Sequence, residues 1–393
     1  MTPDFYSYSW TPLMSADLAH GFVNVTWADG VTLPAYSLWL AENTHGMGLE
    51  PGSREGMIDP ADLPAADDLV TANVDREGAL ELGWRSGVTT RVHPGWLRHV
   101  ADGRHRPGAY LPEHEMWRSD ELATPPSLAE PPSIDGSHVL DDVDVLTEWL
   151  TLMVRFGLAR LRNTPADPDF LAELGARVGP LRGSNFGTVW SVRALIDPNS
   201  TANTSLNLGQ HTDLPTRETP PGFQFLHCID NTCQGGLSRM TDGLAVVDEL
   251  ATRYPDDYEA LTTLRWVFFN RSKDDDHRWS GPMIDHGAPG EPLTLRAFYP
   301  VRGFPDMDAA DIPRAYAAMR RFSQVAHDPA LQMRYPFAVG DLVGFDNRRV
   351  LHGRDAFDAV SGTRHLRGTY IDHDDVYSRL RVLRRRSEQR SRD

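Results

Sequence analysis

The chain has 393 residues, enough for two domains, with 40% hydrophobic and 24% charged residues, ordinary for a folded globular protein. Its net charge of −16 argues against nonspecific nucleic-acid binding, and no apolar run reaches the ~18 residues of a membrane span. The opening Met1-Thr2-Pro3-Asp4 lacks the basic and apolar regions of a signal peptide, so a cytoplasmic location is expected. Among the 39 basic residues Lys273 is the sole lysine, in a polar stretch, which disfavours Schiff-base or pyridoxal chemistry. Two cysteines, Cys228 and Cys233, are too few for a disulfide framework or a structural zinc site. Cys228 lies in the apolar run Phe223 to Ile229 and is expected to be a buried, inert thiol.

In chain order, residues 1 to about 20 read as an irregular lead-in. Phe22 to Trp27 alternates as a strand before the turn Ala28-Asp29-Gly30. Tyr36 to Glu42 is a short helix or strand, further strands fall near Asn73 to Asp75 and Ala79 to Trp84, and His93-Pro94 opens a short helix. These pieces predict a small β-rich domain over residues 1–105. Residues 106–133 are rich in proline and predict an extended surface linker. The second domain, 134–393, begins with a helix whose Leu146, Trp149, Leu150 and Met153 repeat at helical spacing, with Asp141 and Asp142 at its start and Gly157 at its end. A second helix takes Asp167 as N-cap and Pro168 at its first position. Strands follow at Val189 to Leu195, Phe223 to Ile229, Trp266 to Asn270, Leu293 to Phe298, Leu342 to Phe345 and Arg364 to Ile371. Helices are expected at about Gly243 to Arg253, Asp256 to Leu264 and Ala309 to His327. Many strands with helices packed outside give a mainly β, α+β fold built on a barrel or jelly roll. The Arg-rich end from Arg379 is read as a solvated helix and frayed tail.

The chemistry centres on Gln210-His211-Thr212-Asp213-Leu214-Pro215. A His and an Asp two apart on an extended strand project to one face, where an imidazole nitrogen and a carboxylate oxygen can share a metal. Such a pair is weak evidence alone, and His373-Asp374-Asp375 repeats the pattern, but no His follows that second match. His211 does have a distant partner, His352 in Val350-Leu351-His352-Gly353-Arg354, ~140 residues on. Two His and one carboxylate with open positions form the ligand set of non-heme Fe(II) oxygenases. Arg364 could grip the far carboxylate of a dicarboxylate cosubstrate. By strand parity Arg364 and Tyr370 face inward together, with Arg367 facing out.

These segments resemble gamma-butyrobetaine hydroxylase and its relatives among the Fe(II)/2-oxoglutarate dioxygenases related to taurine dioxygenase. The likeness rests on His211-Thr212-Asp213-Leu214-Pro215, Pro220 to Ile229, Gly235-Gly236-Leu237-Ser238, Asp242-Gly243, Leu351-His352-Gly353-Arg354, Arg364 to Gly368 and Tyr377 to Arg381. It implies a double-stranded β-helix core, iron on His211, Asp213 and His352, and 2-oxoglutarate on Arg364, with Ser238 as a second contact. It also implies a reaction with O2 in which 2-oxoglutarate becomes succinate and CO2 while a substrate C–H is hydroxylated. The first domain resembles the family's N-terminal domain through Trp27 to Gly30, Leu38-Trp39-Leu40 and His93. In many relatives that domain binds zinc through cysteines, but Ala41 to Gly46 has none here, so no structural zinc is expected.

In the betaine enzymes an aromatic cage surrounds a trimethylammonium group. Tyr370 fits one cage position, whereas Leu214 and Asn203 stand where aromatics are found, and the relatives' substrate-holding Asn falls near Tyr299. Trp190, Phe186, Trp279 and Tyr299 are candidates for a reshaped pocket, each with core packing as the alternative. The expected substrate is a small polar or zwitterionic metabolite. Alternatives are desaturation, cyclisation or rearrangement by the same oxidant, or a non-catalytic small-molecule-binding barrel. A homodimer is expected, joined through the first domain.

Overall fold

The computed structural model describes residues 2–119, 129–193, 203–270, 274–287, 292–297 and 301–390. Contacts divide the chain into two compact units, Met1–Tyr110 with the residues from Glu388, and Leu111–Ser387.

The first unit holds two three-stranded antiparallel sheets, Leu13–Ala19, Phe22–Trp27 and Thr32–Tyr36, then Leu69–Val74, Leu80–Trp84 and Thr89–Val92. Its core gathers Val23, Val25, Trp27 and Trp84 from the inward faces of the strands, with Leu40 and Trp96 from two short helices. Leu13–Ala19 lies where an irregular lead-in is expected. Its alternation is blurred by small and polar residues, and its hairpin turn is His20-Gly21 (φ 51° and 78°), not one of the commoner turn pairs. The helix Pro94–Ala101 starts as anticipated after His93.

In the second unit two sheets face one another. The six-stranded sheet runs in the order Ser133–Asp135, Leu158–Arg162, Leu342–Asp346, Phe223–Asn231, Arg364–Ile371, Val189–Val192. The four-stranded sheet runs Leu208–His211, Val350–Arg354, Ser238–Asp242, Gln332–Tyr335. Strand parity sorts the side chains. Phe223 and Phe225 point out to a layer formed by Leu146, Trp149, Leu150, Met153, Leu171 and Leu174 of two helices. Cys228 points the other way, into a core between the sheets with Met240, Met333, Val343, Phe345 and Leu366. Helices Gly243–Arg253, Pro255–Thr263 and Ile312–Ala326 cover the outer face of the four-stranded sheet, packing on Leu295 and Leu351. Burial pushes the Cys228 thiol up to about 12, so it stays protonated.

Further details differ from the sequence-based expectations. The helix of the second unit predicted from Asp167 begins at Phe170 with Asp169 as its N-cap residue, because Asp167 uses its carboxylate to accept from the Asp169 N–H (2.8 Å) and forms a turn just ahead of it. The proline-rich stretch is not solvated throughout: Trp117 is fully buried, donating its indole N–H to the Phe156 carbonyl (2.8 Å). The terminal helix His373–Arg390 buries Val376, Leu380 and Leu383 against the outer core rather than lying wholly in solvent.

Candidate metal centre

His211 ends one edge strand of the four-stranded sheet, and His352 is its direct cross-strand partner. Directly opposed residues point to the same face, so the two rings lie side by side, tilted by 40°, with centroids 4.1 Å apart. Asp213 follows the strand end and brings Oδ1 to 3.4 Å from His211 Nε2 and 3.8 Å from His352 Nε2. One ligand atom from each of the three lies within 4.8 Å of the others.

The hydrogen bonding fixes which atoms are available. His211 Nδ1 lies 2.8 Å from the Gly209 carbonyl, which can only accept, so that nitrogen carries the proton and Nε2 keeps its lone pair. His352 is buried against Phe345, and burial lowers its pKa to about 3, keeping the ring neutral. Burial alone would raise the Asp213 pKa. Attraction to the two rings, which acts whenever either carries a second proton, and the Tyr370 hydroxyl outweigh it and hold the carboxyl below its usual range. Two neutral imidazoles and an ionised carboxylate meeting at one point suit Fe(II).

Tyr370 donates its hydroxyl to Asp213 Oδ2 (2.7 Å), leaving Oδ1 toward the imidazoles. Its ring packs on Trp190 with centroids 4.3 Å apart. Trp190 fits there because it lies across Gly368, where a Cβ would come within 2.7 Å of the indole. Leu214, directly after Asp213, takes a left-handed conformation (φ 52°), which costs on the order of 1–2 kcal/mol for a residue with a Cβ. Asn203 is half-buried in the loop that leads to the His211 strand, and Arg354 holds that loop by the carbonyls of Thr204 (2.6 Å) and Leu206 (2.8 Å). Phe186 is largely exposed, Trp279 lies 5.1 Å beneath the Arg296 guanidinium, and Tyr299 is outside the described residues.

Burial of Arg364 and Tyr370, with Arg367 only half-buried, follows the expected parity. The Arg364 Nε is buried without a hydrogen-bond partner among the described residues. Arg364 and Arg354 both place a guanidinium near the Phe357 ring, 5.7 and 4.7 Å from its centroid. Burial lowers the pKa of both, Arg354 to about 10, with mutual repulsion adding to the Arg354 shift. Gly236 takes a left-handed conformation (φ 72°) that favours glycine, and a Cβ there would come within 3.2 Å of the Phe357 Cβ. Ser238 is buried on the facing sheet, in register with Arg354.

Sequence reasoning did not single out Thr212, Arg296 or Asn347. All three are buried polar side chains: Asn347 and Arg296 bind the main chain at and just beyond Asp213, and Thr212 binds the main chain of Leu295 and Ala297. The run Asp346-Asn347-Arg348-Arg349 between two apolar strands marks a turn, and nothing in it reveals that the turn is buried.

Residues 120–370 match the family described as Taurine catabolism dioxygenase TauD, TfdA family. The chain is 38% identical over 377 residues to the gamma-butyrobetaine dioxygenase of Pseudomonas sp. (strain AK-1), covering 95% of this chain and 97% of that one. It is 31% identical over 288 residues to the gamma-butyrobetaine dioxygenase of Homo sapiens, covering 71% of each. A dioxygenase of Strobilurus tenacellus is 32% identical over 353 residues, covering 86% of this chain and 82% of its own. The chain belongs to the TauD/TfdA family of dioxygenases. It is an Fe(II)- and 2-oxoglutarate-dependent oxygenase that hydroxylates a small molecule.

Proposed function

We propose that His211, Asp213 and His352 carry the iron and that Arg364, with Ser238 beside it, receives the far carboxylate of 2-oxoglutarate. The convergence of three ligand atoms within 4.8 Å is the observation that carries this reading. The position of Arg364 supports it. His352 and Arg354 are two residues apart on one strand, about 7 Å, and Arg364 shares the Phe357 ring with Arg354. Arg364 thus lies near the strand that bears His352, where a guanidinium suits the far carboxylate of a five-carbon dicarboxylate. With iron and 2-oxoglutarate bound, the centre supplies the oxidising chemistry, reducing dioxygen as 2-oxoglutarate loses CO2 to give succinate.

The protein's own part is positioning. His211 and His352 present neutral nitrogens, Tyr370 orients Asp213, and Trp190 and Tyr370 wall one side of the centre so that a C–H is held close and bulk water is kept off. We infer a double-stranded β-helix for the two facing sheets, a separate N-terminal domain ending near residue 105, a linker over 106–133, a homodimer formed through the N-terminal domain, and a cytoplasmic location. No described helix is long and apolar enough to cross a membrane. The N-terminal domain needs no zinc, since His93 turns Nδ1 to the start of its own helix; metal analysis should return no zinc outside the His211 centre.

The substrate is a small polar or zwitterionic metabolite hydroxylated at an aliphatic carbon. Leu214 and Asn203 break the aromatic cage of the betaine enzymes, while Trp190 and Tyr370 keep one wall of it. Gamma-butyrobetaine, on which the relatives at 38% and 31% identity are named to act, is the first compound to test. Succinate release from a panel of betaines, amino acids and related zwitterions tests the class; stimulation only by peptides or polymers would refute it. Product mass separates gain of one oxygen from loss of two hydrogens, and so hydroxylation from desaturation or cyclisation.

A further inference from the structure

The turn between Leu342–Asp346 and Val350–Arg354 contains Asn347, which is fully buried. Its side-chain oxygen accepts from the Asp213 N–H (2.7 Å), and its amide donates to the carbonyls of Asp213 (3.0 Å) and Pro221 (3.3 Å). The carboxamide thus pairs with both main-chain groups of Asp213, as a neighbouring strand would. The turn itself is anchored: Arg349 makes a buried two-point contact with Asp242 (2.9 and 2.8 Å). Asn347 is also five residues before His352 in the chain. The frame that bears one imidazole therefore also fixes the carboxylate.

On the far side of Asp213 the chain kinks through the left-handed Leu214. Three carbonyls just beyond it, those of Pro215 (2.7 Å), Arg217 (2.7 Å) and Glu218 (2.8 Å), all accept from the buried Arg296 guanidinium. On the near side Thr212 donates its hydroxyl to the Leu295 carbonyl (3.1 Å) and accepts from the Ala297 N–H (3.1 Å). So the segment around Arg296 brackets the His-x-Asp stretch from both ends. A conformation that a leucine rarely adopts persists only where its surroundings over-determine it.

We propose that Asn347 and Arg296 are positioning residues for the metal centre: Asn347 holds the main chain of Asp213, and Arg296 holds the segment past the Leu214 kink, so that the carboxylate stays aimed at the two imidazoles. This rests on the assignment of His211, Asp213 and His352 as ligands. The test is Mn(II) titration of the metal-free full chain, read by the electron paramagnetic resonance of free Mn(II), at a temperature where circular dichroism shows each variant folded. Asn347→Asp keeps the shape but turns an oxygen toward two carbonyls; Arg296→Lys keeps the charge but loses the forked donors. Each is expected to weaken Mn(II) binding about 10- to 100-fold, the range for groups that orient a ligand. Asn347→Ser and Arg296→Gln serve where the first variant does not fold. A glycine accepts the kink without strain, so Arg296→Lys should weaken binding less in a Leu214→Gly background than alone. Mn(II) affinity within two-fold of the parent, with only a lowered melting temperature, overturns the proposal for that residue. An equal loss in both backgrounds overturns the role given to the kink. Asp213→Ala separates the two levels: if it too binds Mn(II) like the parent, the ligand assignment itself fails.

Discussion

Two histidines show how little a residue type says until its ring nitrogens are traced. In the first unit His93 caps the helix Pro94–Ala101, its Nδ1 accepting from the N–H groups of Gly95 (3.1 Å) and Trp96 (3.3 Å). Its ring lies near Tyr8 and Trp10. In the second unit His211 turns Nδ1 to a carbonyl and so keeps Nε2 open beside a second imidazole and a carboxylate. One histidine's lone pair is consumed by a helix N-terminus, and the other's is left for a cation.

The strongest way to break this contrast is to remove a donor from each place. His211→Ala, Asp213→Ala or His352→Ala should each lower 2-oxoglutarate turnover by about 10³-fold or more and abolish stoichiometric iron. His93→Ala should leave iron content and turnover unchanged, which metal analysis of the purified variants checks. Next in size, Arg364→Leu should raise the KM for 2-oxoglutarate on the order of 100-fold, with Arg364→Lys recovering part of it, as measured by succinate release. Tyr370→Phe keeps the ring against Trp190 but deletes the hydroxyl on Asp213; Mn(II) affinity should fall about 10-fold.

A third histidine sharpens the comparison through pH. His227 is fully buried against Phe170, its Nε2 3.0 Å from the Thr164 hydroxyl, and burial lowers its pKa to about 4. The unfolded chain binds the proton more readily than the folded one, so this contribution to stability is intact above about pH 6.5 and fades as pH falls toward 4. Melting temperature followed from pH 7 to 4.5 should drop, and His227→Phe should flatten that slope. The smallest effect is that of the cap: His93→Ala should cost about 1 kcal/mol of stability, seen as a lower melting temperature at unchanged activity.

Much of the fold was legible because period and punctuation agree. Phe22–Trp27 alternates cleanly and Gly243–Arg253 follows a capping Asp242, and both elements have the expected bounds. Leu13–Ala19 was not legible because its inward positions hold only Leu13 strongly, and its partner strand supplies the rest of the pattern. For the site, the His-x-Asp spacing and the distant His352 name three residues that do converge. Asn347 and Arg296 escape such reading because they recognise the main chain of another segment, and main-chain partners leave no mark in side-chain spacing.

The pairing of His211 with His352 across two antiparallel strands has a consequence for assembly. Strand side chains alternate, so a slip of one residue between these strands would turn one imidazole to the opposite side of the sheet. Only the correctly registered pair can chelate. On the proposed ligand assignment, iron capture would reward accurate strand alignment, and the cation would act as a proofreader of the sheet that holds it.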